Sequence, residues 1–220
     1  IFSNLKILKR NAKNIIIISE KKNNQLRTIS KKFQLYFVEH KTNIGGRYSV
    51  LSEVGVIPAY LMGLNIIKLR SKLLEFLKGR KKLFLKDSAV KLACLLKNNK
   101  IKNIIFLNYA PELEKFLFWC QQLIAESLGK RNKGFLPTIS NVPRDHHSLL
   151  QLYLDGPRDK IFYIFSIKQN KKRKINTKGI PDKKKSFLNK KNLEDIKNAQ
   201  KIAVTKVFKN KKIPYRNFEL

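Results

Sequence analysis

Ile104-Ile105-Phe106-Leu107, then Pro111-Glu112-Leu113-Glu114-Lys115-Phe116-Leu117-Phe118-Trp119-Cys120-Gln121-Gln122-Leu123-Ile124-Ala125-Glu126-Ser127-Leu128-Gly129-Lys130, then Phe135-Leu136-Pro137-Thr138-Ile139: this stretch decides the fold. The first run is short, apolar and β-branched, which suits a strand buried on both faces. The second reads as one helix, with proline near its start and acids in its first turn. Gly129 followed by Lys130 and Arg131 is its stop signal, with cations at the negative end of the helix. Leu113, Phe116, Leu117, Cys120, Leu123 and Ile124 form its apolar stripe. A third apolar run then returns as a strand, and strand, helix, strand is the unit of a parallel sheet.

Outward from that unit, residues 161–167 are a further strand candidate. Leu73, Leu74 and Leu77 begin a helical periodicity that residues 90–96 continue. The pattern from Ser71 onward is therefore α/β with a mainly parallel sheet, its strands buried on both faces. Upstream, residues 14–19 and 34–38 read as strands and 50–64 as a helical region, too little for a complete doubly wound domain. The expected division is 1–70 and 71–220, with no internal repeat.

Gly45-Gly46-Arg47-Tyr48-Ser49 follows the 34–38 strand. Paired glycines let a backbone approach a ligand, and arginine carries a cationic fork suited to an anionic oxygen. These five residues equally suit a tight turn with a solvated arginine. On the helix, Gln122 and Glu126 are four apart and project together, one turn beyond Trp119. Partial desolvation by that ring would raise a glutamate pKa toward the range of a general base, while a plain surface carboxylate fits the same spacing. Asp145 is a natural N-cap for a helix whose first turn holds His146 and His147. Adjacent histidines diverge on a helix, and no His or Cys stands at ligand spacing, so no metal site is expected.

The ordered trio Gly45-Gly46-Arg47-Tyr48-Ser49, Gln121-Gln122-x-x-x-Glu126-Ser127-x-Gly129-Lys130 and His147-x-x-x-Gln151-Leu152 resembles the glucose-6-phosphate isomerase family. That family is built from two flavodoxin-like sugar-isomerase domains, and the resemblance runs over about residues 37–165. It implies that Arg47 stabilises an enediolate and that Glu126 is the base moving the proton between C2 and C1. It also implies that Gln122 helps hold the substrate phosphate and that Gly45 and Gly46 line the sugar. His147 would assist ring opening from the neighbouring subunit of a homodimer. The implied reaction is the reversible isomerisation of glucose 6-phosphate to fructose 6-phosphate, with a sugar phosphate as partner and no cofactor. The expected organisation is then the tail of a first sugar-isomerase domain and most of a second.

Departures accompany the match. The family's Gly-Gly-Ser turn and its Ser-x-[Thr/Ser]-x-x-[Thr/Ser] phosphate loop have no counterpart in residues 1–40. Its Phe-Asp-Gln-x-x-Val-Glu-x-x-Lys stretch is not reached before Asn217-Phe218-Glu219-Leu220, and Thr42 and Glu53 differ from the usual neighbours of Gly-Gly-Arg. The expectation is a chain truncated at both ends and inactive alone.

Forty-eight basic residues against 15 acidic ones give a formal charge of +33, the balance of a nucleic-acid binder. The charge is spread along the chain, lysine dominates, and no helix-turn-helix, zinc-finger or RNA-binding signature accompanies it, so no specific nucleic acid is expected. Residues 168–192, with eleven basic residues against one acid, read as a solvated loop. Two cysteines in apolar helical stretches fit buried thiols and a cytoplasmic setting. No apolar stretch approaches a membrane span, and the start at Ile1 lacks a signal-peptide pattern. Two other classes compete with the isomerase: a noncatalytic sugar-phosphate-binding module and a basic nucleic-acid-binding protein.

Overall fold

The computed structural model describes residues 12–168, 174–176 and 188–220, so most of the basic run 168–192 lies outside the described residues. The chain divides into two compact units, Ile1–Lys86 and Asp87–Leu220.

In the first unit, strands β1 (Ile16–Ser19) and β2 (Tyr36–Glu39) pair in parallel through helix α1 (Gln25–Phe33). Asn24 starts that helix: its side-chain oxygen accepts the Arg27 N–H at 2.9 Å, satisfying a donor that the first turn leaves without a partner. Gln34 ends it in the left-handed region at φ 51°, so the strand expected from residue 34 begins two residues later. A 3-10 turn (Gly46–Leu51) follows, then α2 (Glu53–Leu61), α3 (Ile66–Ser71), a second 3-10 turn (Leu73–Leu77) and α4 (Gly79–Asn98). The periodicity of residues 73–96 is broken at Gly79, whose φ of 56° suits glycine and turns the chain between the 3-10 segment and α4.

The second unit is a four-stranded parallel sheet in the order β4-β3-β5-β6, with β3 Asn103–Asn108, β4 Leu136–Asn141, β5 Lys160–Ser166 and β6 Tyr215–Glu219. Helices α5 (Glu114–Leu128), α6 (Arg144–Asp155) and α7 (Leu193–Asn210) connect them. This is the expected α/β architecture with a mainly parallel sheet; β6 and α7 were not foreseen. The central strands alternate between two cores. Ile105, Leu107, Phe162 and Ile164 meet Tyr153 of α6 and Val204 and Phe208 of α7. Ile104, Phe106, Ile161, Tyr163 and Phe165 meet Leu117 of α5 and the leucines of α4. The chain moves outward from β3 to β4 and then back across β3 to β5 and β6. Crossovers of one hand must therefore place α5 on one face and α6 and α7 on the other.

Pro137 lies within β4, where a missing N–H would break a central ladder, but β4 is an edge strand. Ile104 is fully buried at the centre of its face. Ile104→Val is expected to cost about 1 kcal/mol by deleting one packed methylene. Urea unfolding should show this as a lower midpoint with an unchanged slope.

Candidate active-site residues

The Gly45–Arg47 corner is built by local hydrogen bonds. Gly45 is extended, its carbonyl accepts the Tyr48 N–H at 2.8 Å, and the Ser49 hydroxyl donates to the Gly46 carbonyl at 2.7 Å. Neither glycine has a positive φ. A Cβ on Gly46 would meet nothing within 4 Å, and one on Gly45 only the Tyr48 ring at 3.7 Å. The turn itself thus has no need of glycine here, and the bare backbone faces open space. Arg47 is half-buried, its guanidinium 5.9 Å from the Tyr48 ring centre. Gly55 is different: a Cβ there would meet the Val50 carbonyl at 2.0 Å, so glycine seats α2 directly against the turn.

On α5, Gln122 Nε2 donates to Glu126 Oε1 at 2.8 Å, and both side chains are exposed. The desolvation expected from Trp119 does not occur within this helix: the indole is 37% exposed and lies against Phe116, ring centres 5.7 Å apart. Gln121, whose role sequence reasoning missed, donates to the Pro137 carbonyl at 2.7 Å and fixes the rotation of α5 against β4. Leu117, fully buried, does the same from the apolar side, leaving Gln122 and Glu126 facing out. Burial pushes the half-buried Cys120 thiol up to about 11, away from reactivity, while Cys94, expected to be buried, is exposed.

At the carboxyl ends of the strands, Asn108 Nδ2 donates to Asn141 Oδ1, and Asn141 Nδ2 donates to Glu114 Oε1 at 2.8 Å. Asp145 is not the N-cap. It sits one residue inside α6, where it accepts the Asn141 N–H at 2.8 Å and the Arg144 Nε–H at 2.8 Å. Burial alone would raise its pKa, but these donors prevail and hold it below the ordinary carboxylate value. His146 turns inward, where its Nε2 lies 3.1 Å from the buried Tyr109 hydroxyl; burial lowers its pKa and keeps the ring neutral. His147 is exposed.

Glu126 and His147 therefore lie apart within one unit. Glu114 bonds to Asn141 at the end where α6 begins, and the helical rise from Glu114 carries Glu126 about 18 Å toward the opposite end of the sheet. Gly45, Gly46 and Arg47 are together in the first unit, and Gln122 and Glu126 together in the second. Among the described residues no three His, Cys, Asp or Glu gather where they could hold a metal ion, and no helix is long and apolar enough to cross a membrane.

No family model matches the chain. The glucose-6-phosphate isomerase of Methanocaldococcus jannaschii is 34% identical over 172 residues, 74% of this chain and 42% of the relative. That of Campylobacter jejuni is 38% identical over 175 residues, 72% of this chain and 40% of the relative. The chain is homologous to glucose-6-phosphate isomerases over about 70% of its length. It spans about two fifths of the length of these isomerases. A match covering 74% of 220 residues necessarily includes the middle of the chain, where Gln122, Glu126 and His147 lie. The isomerase of Rubrobacter xylanophilus agrees, at 32% identity over 70% of this chain. Among solved structures, a hypothetical protein of Thermus thermophilus superposes with a TM-score of 0.80 over 98% of this chain and 55% of that one. At 23% identity, that likeness shows the shared α/β fold.

Proposed function

We propose that the chain carries catalytic groups of a glucose-6-phosphate isomerase, with residues 1–70 and 71–220 belonging to two successive sugar-isomerase domains. The observation that carries this reading is the outward Gln122–Glu126 pair, inside the stretch homologous to those isomerases. Aldose-ketose interconversion needs a base that removes a proton beside a carbonyl and a cation facing the oxygen that becomes negative. Glu126 takes the proton from C2 and returns it to C1, and Arg47 stabilises the cis-enediolate between the two steps. Gln122 holds the substrate phosphate, and the bare backbone at Gly45 and Gly46 admits the sugar. His147 assists ring opening from a second copy of the chain. No cofactor is needed, since one carboxylate carries the proton across one face of the enediol.

The test is binding of glucose 6-phosphate by calorimetry. Arg47→Ala is expected to weaken it by roughly tenfold or more, the loss of one charge-assisted hydrogen bond. Salt-steep RNA binding, with no Arg47-dependent sugar-phosphate binding, would favour the nucleic-acid reading instead.

A further inference from the structure

His40 follows β2, and its ring holds the loop that carries Arg47 from two sides. Nδ1 bonds to Glu53 Oε1 at the start of α2, and Nε2 lies 2.9 Å from the Ile44 carbonyl oxygen, one residue before Gly45. The two side chains are largely enclosed, 14% and 22% exposed. A carboxylate and a carbonyl are both acceptors, so each ring nitrogen must donate a proton. Only the imidazolium has two N–H groups; a neutral ring satisfies one partner and faces the other with a lone pair. The backbone N–H of His40 donates to the Ser19 carbonyl at 2.9 Å, which anchors the ring's own position at the end of β1. At the far end, Gly55 seats α2 on the Val50 carbonyl, so Glu53 and the 3-10 turn are joined.

We propose that protonated His40 is a positioning residue, which clamps Glu53 to Ile44 and so holds the Gly45–Arg47 corner in its ligand-facing geometry. The role for catalysis rests on the isomerase reading; the clamp itself does not. The charged groups that act on the ring are Glu53 of α2 and Glu20, just beyond β1, both acidic. The Glu53 hydrogen bond, the Ile44 carbonyl and these charges raise the His40 pKa against an opposing effect of burial. Glu53 is lowered, first by its own backbone N–H and then by His40. The signs define a window. A raised histidine contributes stability that is complete below its unfolded value and lost as pH rises through its folded value. A lowered glutamate contributes stability present above its unfolded value and lost as pH falls through its folded value. The clamp is closed between the lowered Glu53 pKa and the raised His40 pKa, and it opens on the alkaline side.

The experiment is an NMR titration of the His40 ring in the unmodified chain, with hydrogen exchange at the Tyr48 amide as the reporter of the corner. The ring is expected to titrate above the ordinary histidine value, and in Glu53→Gln its midpoint should fall. Tyr48 protection, corrected for intrinsic exchange, should drop roughly tenfold across the same pH range. His40→Gln should abolish that pH step, and its glucose 6-phosphate affinity should be weaker and flat across the pH range in which the unmodified chain declines. A ring titrating at or below the ordinary value, or a Tyr48 pH step that persists in His40→Gln, overturns the clamp. Arg47-dependent glucose 6-phosphate binding identical in the unmodified chain and His40→Gln also overturns it, while leaving the isomerase reading in place. A titrating corner in a chain that binds no sugar phosphate supports the clamp and separates it from sugar-phosphate binding.

Discussion

If the isomerase reading holds, replacing Glu126 with glutamine is expected to lower kcat for glucose 6-phosphate isomerisation about 1000-fold in an active isomerase that contains this chain, within the range contributed by a positioned general base. The substitution is close to isosteric. A glutamine oxygen still accepts from Gln122 Nε2, so the 2.8 Å contact on α5 has a replacement, and the exposed position asks little of packing. KM and the unfolding midpoint should therefore stay near their original values. A loss confined to kcat marks a group that acts in the transition state rather than in substrate binding. A coupled assay for fructose 6-phosphate, run beside thermal unfolding, makes the measurement. Turnover unchanged by Glu126→Gln would remove the base from the mechanism, and sugar-phosphate binding without any turnover would favour the noncatalytic module.

The strand-helix-strand core was legible in the sequence because each element obeys local rules. Residues 104–107 are apolar at every position since β3 is covered on both faces, and α5 carries its stop signal at Gly129. Edges were harder to read. β6 mixes Tyr215, Arg216, Asn217 and Phe218 because among the described residues it is a border strand with one neighbour, so its sequence lacks a buried run. The helix α7 was missed for a related reason: it buries Val204 and Phe208 amid four lysines, and two of these, Lys197 and Lys201, fold inward to the Tyr109 carbonyl and the Ser166 hydroxyl while Lys206 and Lys209 face solvent. At Gln34 and Gly79 the propensity pattern ran on while the backbone turned, since a single left-handed residue ends an element without altering its hydrophobic period.

The candidate residues were readable as motifs, but their supports were not. Nothing local shows that Gln121 reaches the Pro137 carbonyl, or that His40 and Glu53 meet across thirteen positions. Such partners belong to the tertiary structure. The Gly55 requirement was equally hidden, because a glycine inside a helical stretch signals close approach without naming the neighbour, here the Val50 carbonyl. The two histidines show the same limit: spacing made them diverge, but only the buried Tyr109 hydroxyl decides that His146 is the inward one and His147 the exposed one.

Mixing the Glu126→Gln and His147→Ala variants of an active isomerase that contains this chain, each impaired on the cyclic sugar, is expected to restore activity. The argument comes from position. The α5 helix carries Glu126 away from the end of the sheet where α6 presents His147, about 18 Å along the helix axis from Glu114. Within one chain α5 carries those two side chains apart, which suits a histidine supplied by a second copy. If a second copy supplies the histidine, each homodimer of a single variant lacks one group at both sites. A mixed dimer has one site with both defects and one site with neither. Random exchange of subunits makes half the dimers mixed, so turnover should rise to about a quarter of the unsubstituted level. The exchange can be driven by dilution into mild urea followed by dialysis, with each variant treated alone as the control. Recovery near that fraction assigns the two groups to different chains. Complete failure to complement, with mixed dimers shown to form by native mass spectrometry, would place His147 outside the site that Glu126 serves.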